Sequence, residues 1–138
     1  MTAILDASAF APVVIADERT KMLPGLLEAL SATSGMVVPP HWRAEVTNML
    51  LVASRKGRMT SDGLAGAIAT IDAVIIEVDP ISADRLLDAS WVLAERHRLT
   101  IYDAAYLELA IRRNLPLATH DAALIAAARR ESVELFAQ

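Results

Sequence analysis

Short apolar runs alternate along this chain with longer segments in which apolar residues recur at helical spacing. Strands are predicted at Thr2–Leu5, Met36–Val38, Val74–Val78 and Leu115–Ala118. The third of these is the clearest, because it is apolar and β-branched. Val133–Phe136 is predicted as a final edge strand, which gives about five strands in all. Strands that alternate with helices indicate βαβ units and a parallel sheet, so the predicted fold class is α/β.

The helical segments between these strands begin and end at residues that favour helix boundaries. They are predicted at Phe10–Ala16, from Pro24 to Leu30, from His41 to Arg55, from Ser61 to Asp72, from Ser82 to His97, from Ile101 to Arg113 and up to Arg130. Thr100 can cap one of these helices, and Thr119 or Asp121 can cap the last one. Gly57 and Asn114 are typical helix ends.

The composition supports this fold class and excludes several kinds of site. The chain has 138 residues, which fits one domain, and 54% of them are hydrophobic while only 4% are aromatic. An aliphatic, alanine-rich core favours helices packed on a parallel sheet over a β-sandwich. There is no cysteine, so disulfides and thiolate metal sites are excluded. Because no signal peptide and no apolar run of the ~20 residues that cross a bilayer is visible, we expect a cytoplasmic protein.

The net charge of −4 does not indicate a protein that is basic enough to bind nucleic acid over its whole surface. Any contact with nucleic acid must therefore rest on local basic patches or on metal ions that bridge to phosphate. The densest basic cluster contains Arg55, Lys56 and Arg58, which could contact RNA phosphates. The same residues lie at a predicted helix end, where positive charge complements the helix dipole, so both interpretations stay open.

Two acidic residues follow predicted strands at the point where each strand ends. Asp6 comes directly after the first strand, and Asp121 follows the fourth with only two residues between. Ligand sites of open parallel α/β sheets lie outside the carboxyl ends of the strands, so both side chains are expected at the same sheet edge. Asp103 lies in the first turn of a predicted helix, whose free N–H groups point toward that edge if the connections are right-handed.

Glu45 is placed by the periodicity of the helix that contains it. The apolar face of that helix is formed by Trp42, Val46, Met49 and Ala53, at i, i+4, i+7 and i+11. Glu45 lies at the margin of this face, and Asn48 follows it one turn later. A carboxylate in that position can reach a cleft without being buried in the core.

Four carboxylates in one cleft repel one another, and some would protonate unless a cation were bound between them. Ligation by oxygen alone, with no cysteine and no pair of histidines, suits Mg²⁺ or Mn²⁺. Such a site can hold a phosphodiester and activate water for hydrolysis. Each acid also has a second interpretation: Asp103 and Asp121 as helix caps, Asp6 as a cap of the segment after it, and Glu45 as an exposed helix residue.

Four short motifs contain these acids. They are Ile4-Leu5-Asp6-Ala7-Ser8-Ala9, Glu45-Val46-Thr47-Asn48-Met49-Leu50, Thr100-Ile101-Tyr102-Asp103-Ala104-Ala105-Tyr106 and Leu117-Ala118-Thr119-His120-Asp121. No single motif is specific, but together the four resemble the PIN domain family, and within it the small VapC-type toxins of toxin–antitoxin pairs. Their order and spacing match that family over essentially the whole chain.

The resemblance implies a single PIN-like nuclease domain over residues 1–138, an α/β/α sandwich with a parallel sheet of strand order 3-2-1-4-5. It implies an endoribonuclease that depends on Mg²⁺ or Mn²⁺, acts as a toxin, pairs with a cognate antitoxin protein and forms a homodimer. By position, the catalytic and metal-binding residues are Asp6, Glu45, Asp103 and Asp121, and the supporting polar residues are Ser8, Asn48 and Thr119. The apolar segment Leu23–Leu30 suits either a dimer contact or the core, and His120 departs from the family motif.

Other classes of protein agree less well with the sequence. A receiver-like doubly wound regulatory domain carries two adjacent acids after its first strand and a lysine after a late one. Here Asp6 stands alone, and no lysine follows Leu115–Ala118. A nucleotide-binding Rossmann domain would need a glycine-rich loop. A catalytically silent protein-binding module stays open, whereas a silent RNA-binding module should be more basic and expose stacking aromatics.

Overall fold

The computed structural model describes residues 2–32, 35–81 and 83–137. Along the chain the elements are β1 (Ala3–Leu5), α1 (Ala7–Val14), a 3₁₀ helix (Ala16–Lys21), α2 (Leu26–Ser31), β2 (Met36–Val38), α3 (Trp42–Arg55), α4 (Ser61–Ala73), β3 (Ile76–Val78), α5 (Ala83–His97), α6 (Ile101–Arg113), β4 (Leu117–Ala118) and α7 (Ala122–Arg130). Short strands therefore alternate with helices as the apolar pattern predicts, and the α/β fold class is confirmed.

The strands of the described sheet are all parallel and follow the order β3-β2-β1-β4. Ile4 in β1 pairs with Val37 of β2 on one side and with Leu117 of β4 on the other. β1, β2 and β4 are completely buried, which explains why each is an unbroken apolar run. β3 lies at the edge of the sheet and is partly exposed. Asp6, which follows β1, therefore lies at the carboxyl end of a strand that has a neighbour on each side.

The predicted final strand, Val133–Phe136, contributes a single bridge to the described sheet. Leu135 forms an isolated parallel bridge with Leu117 of β4. Ser132 and Ala137, on either side of this segment, have positive φ angles of 57° and 62°. Phe136 and Ala137 lie in a turn, so within this segment the bridge at Leu135 is not extended into a strand. The predicted order 3-2-1-4-5 is thus confirmed for its first four strands, and the fifth position holds only this bridge.

Several element boundaries differ from the prediction for local reasons. α1 begins directly after β1 rather than near Phe10, and the 3₁₀ helix after it was not predicted. Pro24 precedes α2, because Gly25 adopts a left-handed conformation with a φ of 80° at the helix start. The predicted start of α5 at Ser82 lies outside the described residues. No helix within the described ranges is both long enough and apolar enough to cross a membrane.

Helix α6 lies at the centre of the core, because every residue from Ala104 to Ala110 is buried. Thr100 begins the helix by accepting a hydrogen bond from the Asp103 N–H at 3.1 Å. Asn114 ends it in a left-handed conformation, and both boundaries agree with the prediction. A helix that is packed on all sides fixes the position of the side chains in its first turn.

A network of ion pairs ties the edge strand β3 to the end of α6. Asp79 follows β3 and is 2% exposed, and its carboxylate accepts hydrogen bonds from Arg112 and Arg113, each at 2.7 Å. Arg112 also donates to Glu108 at 2.7 Å, and Arg113 donates to Glu77 at 2.8 Å. Burial acts to raise the pKa of Asp79, but the two guanidinium groups outweigh it and hold that pKa below its ordinary value.

Gly35 precedes β2 at a point where a side chain cannot fit. A Cβ atom there would overlap the backbone carbonyl of Ile75. We expect Gly35→Ala to lower the free energy of unfolding by about 1–3 kcal/mol, the usual effect of overpacking. Gly66 is the control, because it lies exposed in α4 with no atom within 4 Å of its Cβ position.

Gly66→Ala should raise the free energy of unfolding by about 0.5–1 kcal/mol, because alanine loses less backbone entropy in a helix. Urea unfolding of both variants measures the two changes. A Gly35→Ala protein as stable as the wild type would contradict the close approach of Gly35 to Ile75.

Candidate active site

The carboxyl ends of β1 and β4 bring Asp6 and Thr119 side by side. The Asp6 N–H donates to the Ala118 carbonyl at 3.0 Å, so the parallel pairing continues to the end of β4. Asp6 is only 4% exposed. Thr119 Oγ1 donates to Asp6 Oδ2 at 2.6 Å, and Ser8 Oγ donates to the same oxygen at 2.6 Å. The two hydroxyl groups therefore replace part of the hydration that the buried carboxylate loses.

The same two hydroxyl groups fix the loop that follows β4. Ser8 Oγ accepts a hydrogen bond from the His120 N–H at 2.9 Å, and Thr119 Oγ1 accepts one from the Asp121 N–H at 3.0 Å. Asp121 then caps α7, because its Oδ2 accepts a hydrogen bond from the Leu124 N–H at 2.8 Å. Ser8 and Thr119 thus hold both the buried carboxylate and the loop that carries Asp121.

Glu45 lies in the first turn of α3 and is held by two donors. The Tyr106 hydroxyl donates to Glu45 Oε1 at 2.7 Å, and His41 Nε2 lies 3.0 Å from the same oxygen. His41 Nε2 also lies 3.1 Å from the Tyr102 carbonyl, so it faces two acceptors and must carry a proton. Burial acts to raise the pKa of Glu45, but the hydrogen bonds from His41 and Tyr106 outweigh it and lower that pKa. Glu45 is therefore ionised at neutral pH.

Tyr106 and His41 hold Glu45, although the predicted site residues do not include them. Tyr106 is fully buried and follows Asp103 by three residues on α6. His41 precedes Glu45 by four residues, and its ring packs edge-on against Tyr106 at a centroid distance of 5.1 Å. These helical spacings were the available signals, but they describe ordinary helix packing equally well.

Asp103 lies in the first turn of α6 and is repelled by the other three acids. Burial and the negative charges of Asp6, Asp121 and Glu45 raise the pKa of Asp103 to about 6. Burial likewise raises the pKa of Asp6, where Glu45 and Asp121 add to the effect and the two hydroxyl hydrogen bonds oppose it. The structure thus brings the four predicted acids close enough together to repel one another.

The cap interpretations of the acids apply to some of them. Asp121 caps α7 and also belongs to the group of four acids. Asp6 precedes α1, but its side chain makes no capping hydrogen bond to that helix. Glu45 is half-buried and hydrogen-bonded rather than exposed. Asn48 is exposed one turn further along α3.

The predicted basic cluster lies away from the acids. Arg55 and Lys56 are exposed at the opposite end of α3 from Glu45, a distance of about 15 Å along a helix of this length. Arg58 donates two hydrogen bonds to the carboxylate of Asp17, at 2.6 and 2.9 Å. The structure therefore does not place Arg55 or Lys56 beside the acids, and it pairs Arg58 with a carboxylate.

The donor set suits a hard divalent cation that keeps part of its water shell. All four acids offer oxygen ligands, and a cation would remove their mutual repulsion. Within residues 2–32, 35–81 and 83–137, no three histidine, aspartate or glutamate side chains already form a group that could hold a metal ion. Mg²⁺ is usually held by one or two carboxylates and several waters, so the arrangement fits a hydrated ion better than a closed set of protein ligands.

The repulsion on Asp103 predicts a pH-dependent stability in the metal-free protein. The Asp103 carboxyl group has a pKa of 3.8 in the unfolded chain and of about 6 in the folded one. Between these pH values the folded protein binds more protons than the unfolded chain, so a rise in pH lowers the free energy of unfolding. Asp103→Asn removes this effect. The free energy of unfolding of Asp103→Asn minus that of the wild type should therefore be about 1 kcal/mol higher above pH 6.5 than at pH 4. The expected gain is only of this size because water screens part of the repulsion at a half-buried site.

Urea unfolding in EDTA at pH 4 and pH 8 measures the change, with Asp88→Asn on the exposed side of α5 as the control. A large, pH-independent loss of stability in Asp103→Asn would instead show that the carboxylate serves only to begin the helix.

Comparisons with known proteins agree with this geometry. A family model described as the PIN domain matches residues 3–130. Ribonuclease VapC3 of Mycobacterium tuberculosis is 32% identical over 123 residues, which cover 86% of this chain and 81% of that protein. Ribonuclease VapC3 of Pyrobaculum aerophilum is 27% identical over 121 residues, which cover 88% and 90% of the two chains.

Two solved structures have a similar fold. PAE2754 from Pyrobaculum aerophilum matches with a TM-score of 0.62 at 24% identity, over 92% of this chain and 79% of that one. VapC20 of Mycobacterium tuberculosis, described as a toxin that cleaves the sarcin–ricin loop, matches with a TM-score of 0.64 at 18% identity, over 92% and 95%. The parallel sheet and the family match lead to one assignment: the chain belongs to the PIN domain family, and its curated relatives are VapC ribonucleases.

Proposed function

We propose that this protein is a metal-dependent endoribonuclease that acts as the toxin of a toxin–antitoxin pair. One observation carries the proposal: Asp6 is buried at the carboxyl edge of a parallel sheet, held by Ser8 and Thr119, and repelled by further acids. Buried groups that perturb one another's pKa in this way are typical of functional sites. The ribonuclease relatives support RNA as the substrate class.

The four acids would have different roles. Asp6 and Asp103 would hold a Mg²⁺ or Mn²⁺ ion, and Asp121 would support it from the outer shell or hold a second ion. Such a cation supplies positive charge for the phosphate and makes water more acidic. Glu45 stays ionised because two donors hold it, so its carboxylate can accept a hydrogen bond from the attacking water and orient that water toward phosphorus.

The histidines of the chain favour attack by water over attack by the RNA 2′-hydroxyl. The side chain of His41 contacts Glu45, that of His97 lies 2.7 Å from Glu131 Oε1, and His120 is exposed. They do not form the imidazole pair that a metal-free ribonuclease would need. Water that attacks phosphorus and displaces the 3′ oxygen leaves a 5′-phosphate and a free 3′-hydroxyl, with no cyclic phosphate.

Asp6→Asn tests this assignment, because it keeps the size of the side chain and removes its charge. We expect cleavage of RNA to be abolished and the Mn²⁺ affinity, measured by calorimetry, to fall by about tenfold or more. The control is Asp88→Asn, an exposed acid on α5, which should behave like the wild type.

Mapping of the product ends completes the test. Wild-type cleavage should stop in EDTA and leave 5′-phosphates. Cleavage that persists in EDTA and leaves 2′,3′-cyclic phosphates would sink the hydrolytic mechanism. A protein that cleaves no RNA with either metal would be the catalytically silent binding module.

Membership of the PIN family removes the receiver-like regulatory domain as an alternative. The cytoplasmic location and the extent of one nuclease domain over residues 1–138 stay predictions. The cognate antitoxin is likewise proposed from the VapC relatives.

A homodimer is also proposed, and the structure changes the surface that would form it. In the segment Leu23–Leu30 most leucines are buried in the core, and Leu27 is exposed. Further exposed apolar side chains lie on α5 and the start of α6, where Leu87, Trp91 and Tyr102 are 50%, 59% and 63% exposed. Exposed aromatic and aliphatic side chains that cluster in this way are typical of protein interfaces. We therefore propose that a second copy covers this surface.

Light scattering at micromolar concentration tests the dimer. We expect a dimeric mass for the wild type and a monomeric mass for Trp91→Glu, because a buried charge at the interface centre would lack a partner. Leu27→Glu is the matched control, since Leu27 is 54% exposed on α2 and should stay dimeric. A monomeric wild type, with or without Mg²⁺, would remove the dimer from the proposal.

A further inference from the structure

A groove of about 360 Å³ is lined by α1, by α3 and by the loop that follows β4. Asn48, Met49 and Val52 line this groove from α3. They follow Glu45 at i+3, i+4 and i+7, so all of them lie on the same face of the helix as that carboxylate. The groove is therefore a continuation of the surface that carries Glu45.

The opposite wall of the groove leads back to Asp6. Ser8 and Ala11 of α1 line it, and Ile15 follows them, again at i, i+3 and i+7. Ser8 is the residue that donates to Asp6, and His120, whose N–H is bound to Ser8, forms part of the rim. One end of the groove thus lies a single hydrogen bond away from the buried carboxylate.

The groove combines apolar surface with polar groups that are available to a ligand. Met49 is half-buried and Val52 is 36% exposed, so both present apolar atoms to the groove. Within the described ranges, no hydrogen bond engages the side chains of Asn48 and His120, which are both exposed. At the far end, the side chain of Lys21 is 64% exposed and makes a long ion pair of 3.8 Å with Glu18, which also lines the groove.

We propose that this groove binds one nucleotide of a single-stranded RNA beside the scissile phosphate, with the base on Met49 and Val52 and the next phosphate near Lys21. This inference rests on the proposed ribonuclease function. Proteins recognise unpaired bases by contact with their faces and by hydrogen bonds to their edges. The amide of Asn48 offers a donor and an acceptor that match N6 and N7 of adenine, so adenine is the expected base and Asn48 determines the specificity.

The distribution of charge favours RNA over a protein segment as the occupant. The groove extends from Ser8, which donates to Asp6, to Lys21 and Arg58, and these two basic side chains outnumber Glu18, the acidic residue of the lining. Arg58 is held by two hydrogen bonds to Asp17 and lies 3.5 Å from Glu18. Lys21 makes only a long ion pair, so Lys21 rather than Arg58 is the side chain that can contact a phosphate. An apolar protein segment would leave the amide of Asn48 without a partner.

The first test measures binding separately from cleavage. The probe is a short uridine oligonucleotide with one central adenine, titrated with the full chain in Ca²⁺ and followed by fluorescence anisotropy. Val52→Glu places a charge on the groove floor and should weaken binding by about tenfold or more. Leu51→Glu is the matched control, because Leu51 is 45% exposed on a face of α3 outside the groove, and its affinity should equal that of the wild type.

The second test maps cleavage sites in a mixed single-stranded RNA pool with Mg²⁺. The wild type should cut beside adenine, Asn48→Ala should lose this preference, and Thr47→Ala, on the neighbouring exposed face, should keep it.

The outcomes separate the groove from the ribonuclease function. If Asn48→Ala and Val52→Glu cleave RNA with the base preference and KM of the wild type, the groove does not bind the nucleotide, and the ribonuclease function still holds. Binding that depends on the groove without any cleavage would support the groove and overturn the ribonuclease function. Unchanged RNA binding in Val52→Glu, together with loss of the dimer in light scattering, would assign the groove to a protein partner and overturn the proposal.

Discussion

The site depends on a carboxylate that the fold forces into the protein interior. β1 lies between two other strands, so Asp6, which follows it, is enclosed at the carboxyl edge of the sheet. The hydroxyl groups of Ser8 and Thr119 offset part of the lost hydration, yet the pKa of Asp6 stays above its ordinary value. Hydroxyl dipoles cannot replace a full positive charge, so the hydrogen bonds of Ser8 and Thr119 offset the burial of Asp6 only in part.

A second buried aspartate shows what full compensation looks like in the same protein. Asp79 is at least as buried as Asp6, but two guanidinium groups bind it and its pKa is lowered. That network holds the far end of α6 to the edge strand, while the first turn of the same helix carries Asp103. The arginines thus stabilise the scaffold at one end of α6, whereas at the other end the neighbouring acids help to raise the pKa of Asp103.

Helices α1 and α3 form both part of the site and the walls of the groove beside it. Each carries a site residue near its start, Ser8 in α1 and Glu45 in α3, and continues the same face with the walls of the groove. Because a helix repeats its face every three to four residues, a ligand that follows the groove stays aligned with the carboxylates. Rigid helices therefore set the distance between the acids and anything bound beside them.

The sequence by itself determined the α/β class and the boundaries of α6 at Thr100 and Asn114, because strand and cap signals are local. The four acids were predicted from the resemblance of four motifs to a family, and their role in one site stays a proposal. Only the tertiary structure decided that the predicted final strand forms one bridge to β4, and that Arg58 is paired with a carboxylate. It also decided that Tyr106 holds Glu45, which is 61 residues away along the chain. Local periodicity reports which residues share a face of one helix, whereas a hydrogen bond between two helices depends on how they pack.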